Sequence, residues 1–370
     1  MPGDRQFKES AMTLTRREML SIGCGLAGSA WLNGTGMGQA APAGSPASVS
    51  SGDPFTYVNP EFRPTLEQRM KATPNGFEFN ATTLAMVRKS YEGSTFPTLP
   101  SPPIEENMIP GSAGAPDVRV YVVGATPGAS KPAVLHIHGG GYIVGAAAES
   151  KRDIQEISAT HDCVVVSVDY RLAPETTFPG SLEDNYAALR WLYTNAKELG
   201  VDTKRIAIKG ESAGGGHAAA LAIAARDRGE FPICLQVLIY PMLDDRTGST
   251  NRVPPYVGHF IWTEQSNRFG WSSLLGVPAG SSNVPPNSVP ARVDSVAGLA
   301  PAFIGVGSID LFGHEDVEYA SRLMMAGVST ELHVVPGGYH GFDIFVPAAP
   351  LSVQFTEAWN AALKRAFTNT

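Results

Sequence analysis

The sequence predicts an α/β fold: a mostly parallel sheet with helices on both faces and a cap over the ends of its strands. Three observations carry that expectation. From Ala133 onward, short β-branched runs alternate with longer amphipathic stretches, the rhythm of right-handed βαβ units. The 370 residues are 43% hydrophobic and 17% charged, the balance of a chain that buries a large core. Two stretches, 44–100 and about 244–285, break the rhythm with Pro, Gly and aromatic residues and offer no clear strand. In an open α/β sheet such insertions tend to cover the carboxyl ends of the strands, where ligands bind.

Composition excludes several classes. With 28 Lys+Arg against 35 Asp+Glu the net charge is −7 and no basic block occurs, so nucleic acid is not an expected partner. Three cysteines are too few for a disulfide scaffold or a four-cysteine zinc site. The 39 Gly and 29 Pro follow no fixed period, which excludes collagen and solenoids.

Taken in order, residues 1–43 read as an address. Arg16-Arg17 precedes a weakly apolar run from Met19 to Leu32, and Ala41-Pro42-Ala43 offers a small-x-small cleavage site. This resembles a twin-arginine export signal and implies a periplasmic or secreted protein. Cys24 suggests a lipoprotein, but Ser21 stands where Leu is usually needed. No run reaches the ~20 apolar residues of a spanning helix, so no stable membrane span is expected. Cleavage would remove four basic and three acidic residues and leave −8.

The rest, 44–370, reads as one domain without internal repeats. Ile104–Ile109 and Val118–Val123 look like a leading antiparallel pair. Strands follow at Ala133–His138, Cys163–Asp169, Arg205–Lys209, Leu235–Tyr240, Ala302–Gly307 and Glu331–Val335. Helices are expected at Lys151–His161, Leu182–Leu199, Ala213–Arg228 and Glu315–Ala326.

The strongest chemical signal is Gly210-Glu211-Ser212-Ala213-Gly214, which ends one strand and opens a helix rich in small residues. In that context Gly-x-Ser-x-Gly is a nucleophile elbow: the sharp turn strains the serine and leaves no room for side chains beside it. The bland alternative is a glycine-rich helix N-terminus that caps itself or holds a phosphate. No Gly-Lys-Ser/Thr follows, which weakens it. A second signal, His138-Gly139-Gly140-Gly141-Tyr142, ends the strand from Ala133. Its glycines leave backbone N–H groups free to face a cleft, where with that of Ala213 they can stabilise an oxyanion. His136 and His138 share an i, i+2 spacing, but without a third ligand they suit support of the glycine loop better than a metal.

With these motifs in view, the chain resembles the hormone-sensitive-lipase-like family of α/β-hydrolases, the microbial carboxylesterases with a His-Gly-Gly-Gly motif. The likeness runs from about Val118 to Phe345 and includes Asp169-Tyr-Arg-Leu-Ala-Pro-Glu175 with Phe178-Pro179, Asp184–Trp191 and Pro241–Arg246. It implies an α/β-hydrolase fold, with an eight-stranded sheet in the order 1-2-4-3-5-6-7-8 under a helical cap. It also implies Gly140, Gly141 and Ala213 as oxyanion donors, with Gly139 shaping the loop, and short- to medium-chain acyl esters as substrates. Homodimers through the last strand are a further implication. On that strand order Cys163 and Cys234 are not on neighbouring strands, so they are expected as buried thiols. Four positions depart from the family's usual residues: Glu211 for Asp, His217 for Asn, Leu311 for Pro and His314 for an acid.

A general base must arrive on a loop after the last strand, and of eight histidines His340 fits, in Pro336-Gly-Gly-Tyr-His340-Gly. His314 is a weaker competitor, and His217 reads as a satisfied side chain packed inward or toward the cap. Asp310, at the end of the strand from Ala302, supplies the acid in the chain order Ser, Asp, His. Glu315, Asp316 and Asp294 read as solvated or capping carboxylates. The expected chemistry is attack by Ser212 on a small-molecule ester through an acyl-enzyme, with no metal or organic cofactor. Tyr142, Phe260, Trp262, Trp271 and Phe312 are candidates to line the substrate site, core packing being as good a reading for each. An aromatic or xenobiotic ester suits that set. The same machinery would serve an amidase, carbamate hydrolase or lactonase. Non-catalytic ligand-binding relatives usually lack a triad member, and here all three are present.

Overall fold

A computed structural model describes residues 53–72, 78–91 and 96–368. The expected leader, 1–43, lies outside them. One eight-stranded sheet runs in the order β1-β2-β4-β3-β5-β6-β7-β8. Its strands are β1 (Ile104–Ile109), β2 (Val118–Val123), β3 (Lys131–Ile137), β4 (Val164–Asp169), β5 (Val201–Glu211), β6 (Leu235–Ile239), β7 (Ala302–Gly307) and β8 (Thr330–Val335). β2 is antiparallel to both β1 and β4, and all later pairings are parallel. This is the expected order.

The central strands are apolar on both faces, which a parallel sheet between two helix layers requires. Along β4, Val164, Val166 and Val168 join one core while Val165, with Cys163 just before the strand, joins the other, the period-two alternation of a strand. The longer helices are α1 (Arg63–Ala72), α2 (Leu84–Tyr91), α3 (Lys151–His161), α4 (Gly180–Thr194), α5 (Ala213–Arg228), α6 (Glu264–Leu275), α7 (Gly313–Met325) and α8 (Pro350–Thr368). α4, α5 and α7 cover the first face, and α3 and α8 the second.

Three elements differ from expectation. β5 begins at Val201, because Lys131 pairs with Val201 across a register shift that the polar Asp202-Thr-Lys204-Arg205 run conceals. The helix expected over Leu182–Leu199 is broken at Asn195 (φ −106°, ψ 18°), leaving a short second piece, Ala196–Leu199. The longest helix, α8, answers to no expectation above; Phe355, Leu363 and Phe367 give it a buried face.

The N-terminal stretch does not act as one unit. Val58, Phe62 and Leu66 pack in the second core with Tyr339 and Phe342, beneath the loop after β8. Helix α2 instead meets α6 over the carboxyl ends of the strands, in a third cluster with Tyr142, Met242, Leu311 and Phe312. Cys163 and Cys234 are free thiols; Cys163 is buried as expected, Cys234 only partly so, and burial pushes both up to about 12. Among the described residues no helix is long and apolar enough to cross a membrane.

Phe62 is fully buried, its ring 5.0 Å from that of Phe342 and 6.2 Å from that of Tyr339. Phe62→Ala should therefore lower the free energy of unfolding by about 3–5 kcal/mol, read from urea melts followed by tryptophan fluorescence.

Candidate active site

Ser212 occupies the turn between β5 and α5 at φ +56° and ψ −121°. Its N–H donates to the Ile239 carbonyl at 2.9 Å, and its carbonyl accepts from Gly216 and Met242, each at 3.0 Å. The turn tolerates little bulk. A Cβ on Gly210 would strike the Gly214 carbonyl, and one on Gly214 would lie 2.6 Å from the His138 carbonyl oxygen. These contacts explain the glycines of the motif better than flexibility does.

The loop after β8 brings in His340. Its Nε2 lies 2.9 Å from Ser212 Oγ and its Nδ1 2.8 Å from Asp310 Oδ2. A carboxylate only accepts, so Nδ1 carries the proton and Nε2 accepts from the serine hydroxyl. Asp310, at the end of β7, is 1% exposed, and its Oδ1 accepts the Phe312 N–H at 3.0 Å. Three residues 98 and 30 positions apart in the chain thus form one line of hydrogen bonds. His314, the competing base, is exposed and faces Glu318 at 4.0 Å.

Beside the serine, β3 ends in the glycine loop. Gly140 (φ +121°) and Gly141 (φ +59°) adopt conformations that favour glycine. Among the described residues neither N–H donates to a backbone carbonyl, and that of Ala213 opens helix α5, where no intrahelical acceptor exists. His138 holds the loop: its Nδ1 donates to the Gly139 carbonyl at 2.8 Å while its ring stacks on Tyr170 at 4.2 Å. His136 serves elsewhere, between Ser167 Oγ (2.9 Å) and Glu211 Oε2 (3.2 Å). Among the described residues no group of three His, Cys, Asp or Glu would hold a metal.

Glu211, longer than the usual Asp, finds its partners in His136 and the buried Lys209. Burial opposes its charge, but Lys209 and His136 outweigh burial and hold the carboxyl below the usual range. Lys209 in turn lies 4.8 Å over the Trp359 ring. His217 packs edge-on to Tyr142 and Tyr170 at 4.7 Å each, but it is not satisfied as expected: its Nε2 meets no partner among the described residues, and burial lowers its pKa to about 3.

Two carboxylates correct the sequence expectation. Glu315 and Asp316 are buried, not solvated, because the first turn of α7 packs inward, Glu315 against the loop after β6. Glu315 Oε1 accepts from the N–H groups of Leu243 (2.7 Å) and Asp244 (3.1 Å), and so ties down the loop after β6. Neither oxygen of Asp316 has a hydrogen-bond partner among the described residues. Burial pushes both well above the usual carboxylate range. Asp294 is exposed, as expected.

Of the aromatic candidates, Phe312 and Trp262 stand beside His340, with ring centroids 5.3 and 6.4 Å away. Tyr142 and Trp271 meet edge-on at 5.0 Å below them, and the Tyr142 hydroxyl donates to the Met242 carbonyl at 2.8 Å. Phe260 is not gathered with the others: it packs on Phe55 and Tyr339 in the second core. Sequence reasoning missed Tyr240, whose ring lies 4.8 Å from His340 at φ +34°, and Asp343, which burial raises to about 6. Tyr240 had one available signal, its place at the carboxyl end of a strand before Pro241.

Asp316 gives a pH test. Its folded pKa is raised, so any stability it lends is present below the ordinary aspartate range and lost as pH rises through the folded value. Asp316→Asn should be more stable than the parent at neutral pH, the gap closing towards pH ~4 with a slope of about 1.4 kcal/mol per pH unit. Urea melts across that range check it; a pH-independent difference would contradict the buried neutral acid.

The comparisons with known proteins agree with this architecture. A family model described as alpha/beta hydrolase fold matches residues 134–344. Esterase LipI of Mycobacterium tuberculosis is 33% identical over 312 residues, spanning 82% of this chain and 94% of that protein. Carboxylesterase NlhH of the same species is 33% identical over 318 residues, 84% of this chain and 98% of that protein. Among solved structures, a bacterial heroin esterase superposes with a TM-score of 0.74 at 33% identity, covering 85% of this chain and 99% of that one.

Proposed function

The chain belongs to the hormone-sensitive-lipase-like family of α/β-hydrolases, and on that premise we propose that it is a serine carboxylesterase with Ser212 as nucleophile, His340 as base and Asp310 as the orienting acid. Its relatives are named as esterases and carboxylesterases, which supports hydrolysis of carboxylic esters. The observation that carries the triad is the hydrogen-bonded line from Asp310 through His340 to Ser212, beside backbone N–H groups that donate to no backbone carbonyl among the described residues.

The chemistry follows from that arrangement. His340 Nε2 takes the hydroxyl proton as Ser212 Oγ bonds to the ester carbonyl carbon. Asp310 keeps the ring in the right tautomer and stabilises the imidazolium without taking its proton. The tetrahedral oxyanion accepts from Gly140, Gly141 and Ala213, donors whose individual loss costs about 10²–10³-fold in comparable enzymes. His340 then protonates the departing alcohol, and water repeats the cycle on the acyl-enzyme with the same base.

We assign the substrate to short- to medium-chain or small aromatic and xenobiotic esters. The aromatic flank of Trp262 and Phe312 supports this, and a heroin esterase among the relatives is in keeping with it. The paired Arg16-Arg17 leader supports export. A homodimer would use β8, the edge strand on which Val334 is 45% exposed.

The direct test is hydrolysis of p-nitrophenyl esters from acetate to laurate. The parent should favour the shorter chains, and folded Ser212→Ala should lose about 10⁴-fold or more in kcat. A folded parent inactive on every chain length would refute the carboxylesterase reading.

A further inference from the structure

One indole stands over the reaction centre. Trp262 is 5% exposed, and its six-membered ring lies directly against Gly141: a Cβ there would sit 2.7 Å from Cζ2 and 2.9 Å from Cζ3. The ring is tilted 38° to the His340 imidazole with centroids 6.4 Å apart. One side chain thus borders both a proposed oxyanion donor and the proposed base.

The indole is anchored. Its Nε1–H donates to Asn267 Oδ1 at 3.1 Å, and Asn267 Nδ2 donates to the Thr247 carbonyl at 2.8 Å. Asn267 is fully buried, so both ends of its amide are committed and its orientation is fixed. Phe79 adds a tilted ring 5.4 Å away, and its own N–H donates to Ser266 Oγ at 3.3 Å. A Trp with a partnered N–H and packed faces is a rigid wall.

Where that wall stands follows from the tetrahedral carbon. Its bonds lead to Ser212 Oγ, to the oxyanion at the glycine loop, to the leaving oxygen within reach of His340 Nε2, and to the acyl chain directed away from His340. A ring bordering both Gly141 and His340 occupies the leaving-oxygen sector. We infer that Trp262 sets the length limit for the alcohol portion of the ester, with Asn267 as the positioning residue that holds it there. The inference rests on the esterase reading of the same site.

Two ester series separate the outcomes, each followed by acid release in a pH-stat: acetates of methanol, ethanol, butanol and hexanol, and methyl esters from acetate to octanoate. Trp262→Ala should raise kcat/KM for hexyl relative to ethyl acetate by about tenfold or more, while the acyl series moves by less than about threefold. Asn267→Leu keeps the indole but removes its anchor, and should move the alcohol series the same way by a smaller factor. Trp262→Leu fills part of the space and should fall between parent and Trp262→Ala; with Asn267→Leu it carries the test if Trp262→Ala fails to fold. An unchanged alcohol series in folded, active variants overturns the inference, as does a shift confined to the acyl series. A parent inactive on every ester refutes the esterase reading itself, which the variant comparison alone cannot do.

Discussion

Ser212 holds a backbone conformation at φ +56° and ψ −121° that costs about 1–3 kcal/mol for a residue with a side chain, and it persists only where surroundings over-determine it. Here two strands, a loop and a helix do so. The serine N–H is held by the end of β6, its carbonyl by the loop after β6 and the first turn of α5, and the backbone beside it by the end of β3. The strain is useful because it projects Oγ from the sheet to where a loop after β8 can reach it. The close approach of Gly210 to Gly214, and of Gly214 to the residues ending β3, leaves no space for another side chain, so the positions of serine and glycine loop are set together.

Around this turn the polar groups divide into two environments. Behind the elbow, Lys209, Glu211 and His136 form a partnered cluster in which opposite charges offset the cost of burial. Glu315 and Asp316, in contrast, are buried with no ion-pair partner among the described residues, and burial favours their neutral forms. The carboxyl group that faces His340 is therefore backed by two acids whose ionisation burial opposes. Glu315 still acts through geometry, since it caps two N–H groups of the loop after β6.

The loop that carries His340 depends on residues remote in sequence. Asn59 donates to it twice, from its N–H to the Gly337 carbonyl and from its side chain to the Pro336 carbonyl, each at 3.1 Å. Phe62 packs below the same loop. The region before β1 thus splits its work: residues 53–72 steady the loop that carries His340, while α2 joins α6 over the strand ends.

Much of this was written locally. The strands themselves, the elbow at Ser212, the glycine loop at Gly140 and Gly141, and the positions of Asp310 and His340 could be read in the sequence, because each depends on a short run: apolar alternation for strands, glycine beside serine for the turn, a histidine after the last strand; the order of the strands in the sheet came only from the family resemblance. Tertiary structure alone decided the rest. Glu315 and Asp316 look like solvated acids of a helix N-terminus, and only the packing of α7 against the sheet buries them. Lys209 reads as an ordinary charge in a strand until Glu211 and Trp359 close around it. Phe260 and Trp262, two residues apart, enter different clusters because the chain turns at Ile261, where φ is +67°. Burial and charge pairing are sums over neighbours brought from all along the chain, whereas a turn or a strand is dictated by the few residues within it.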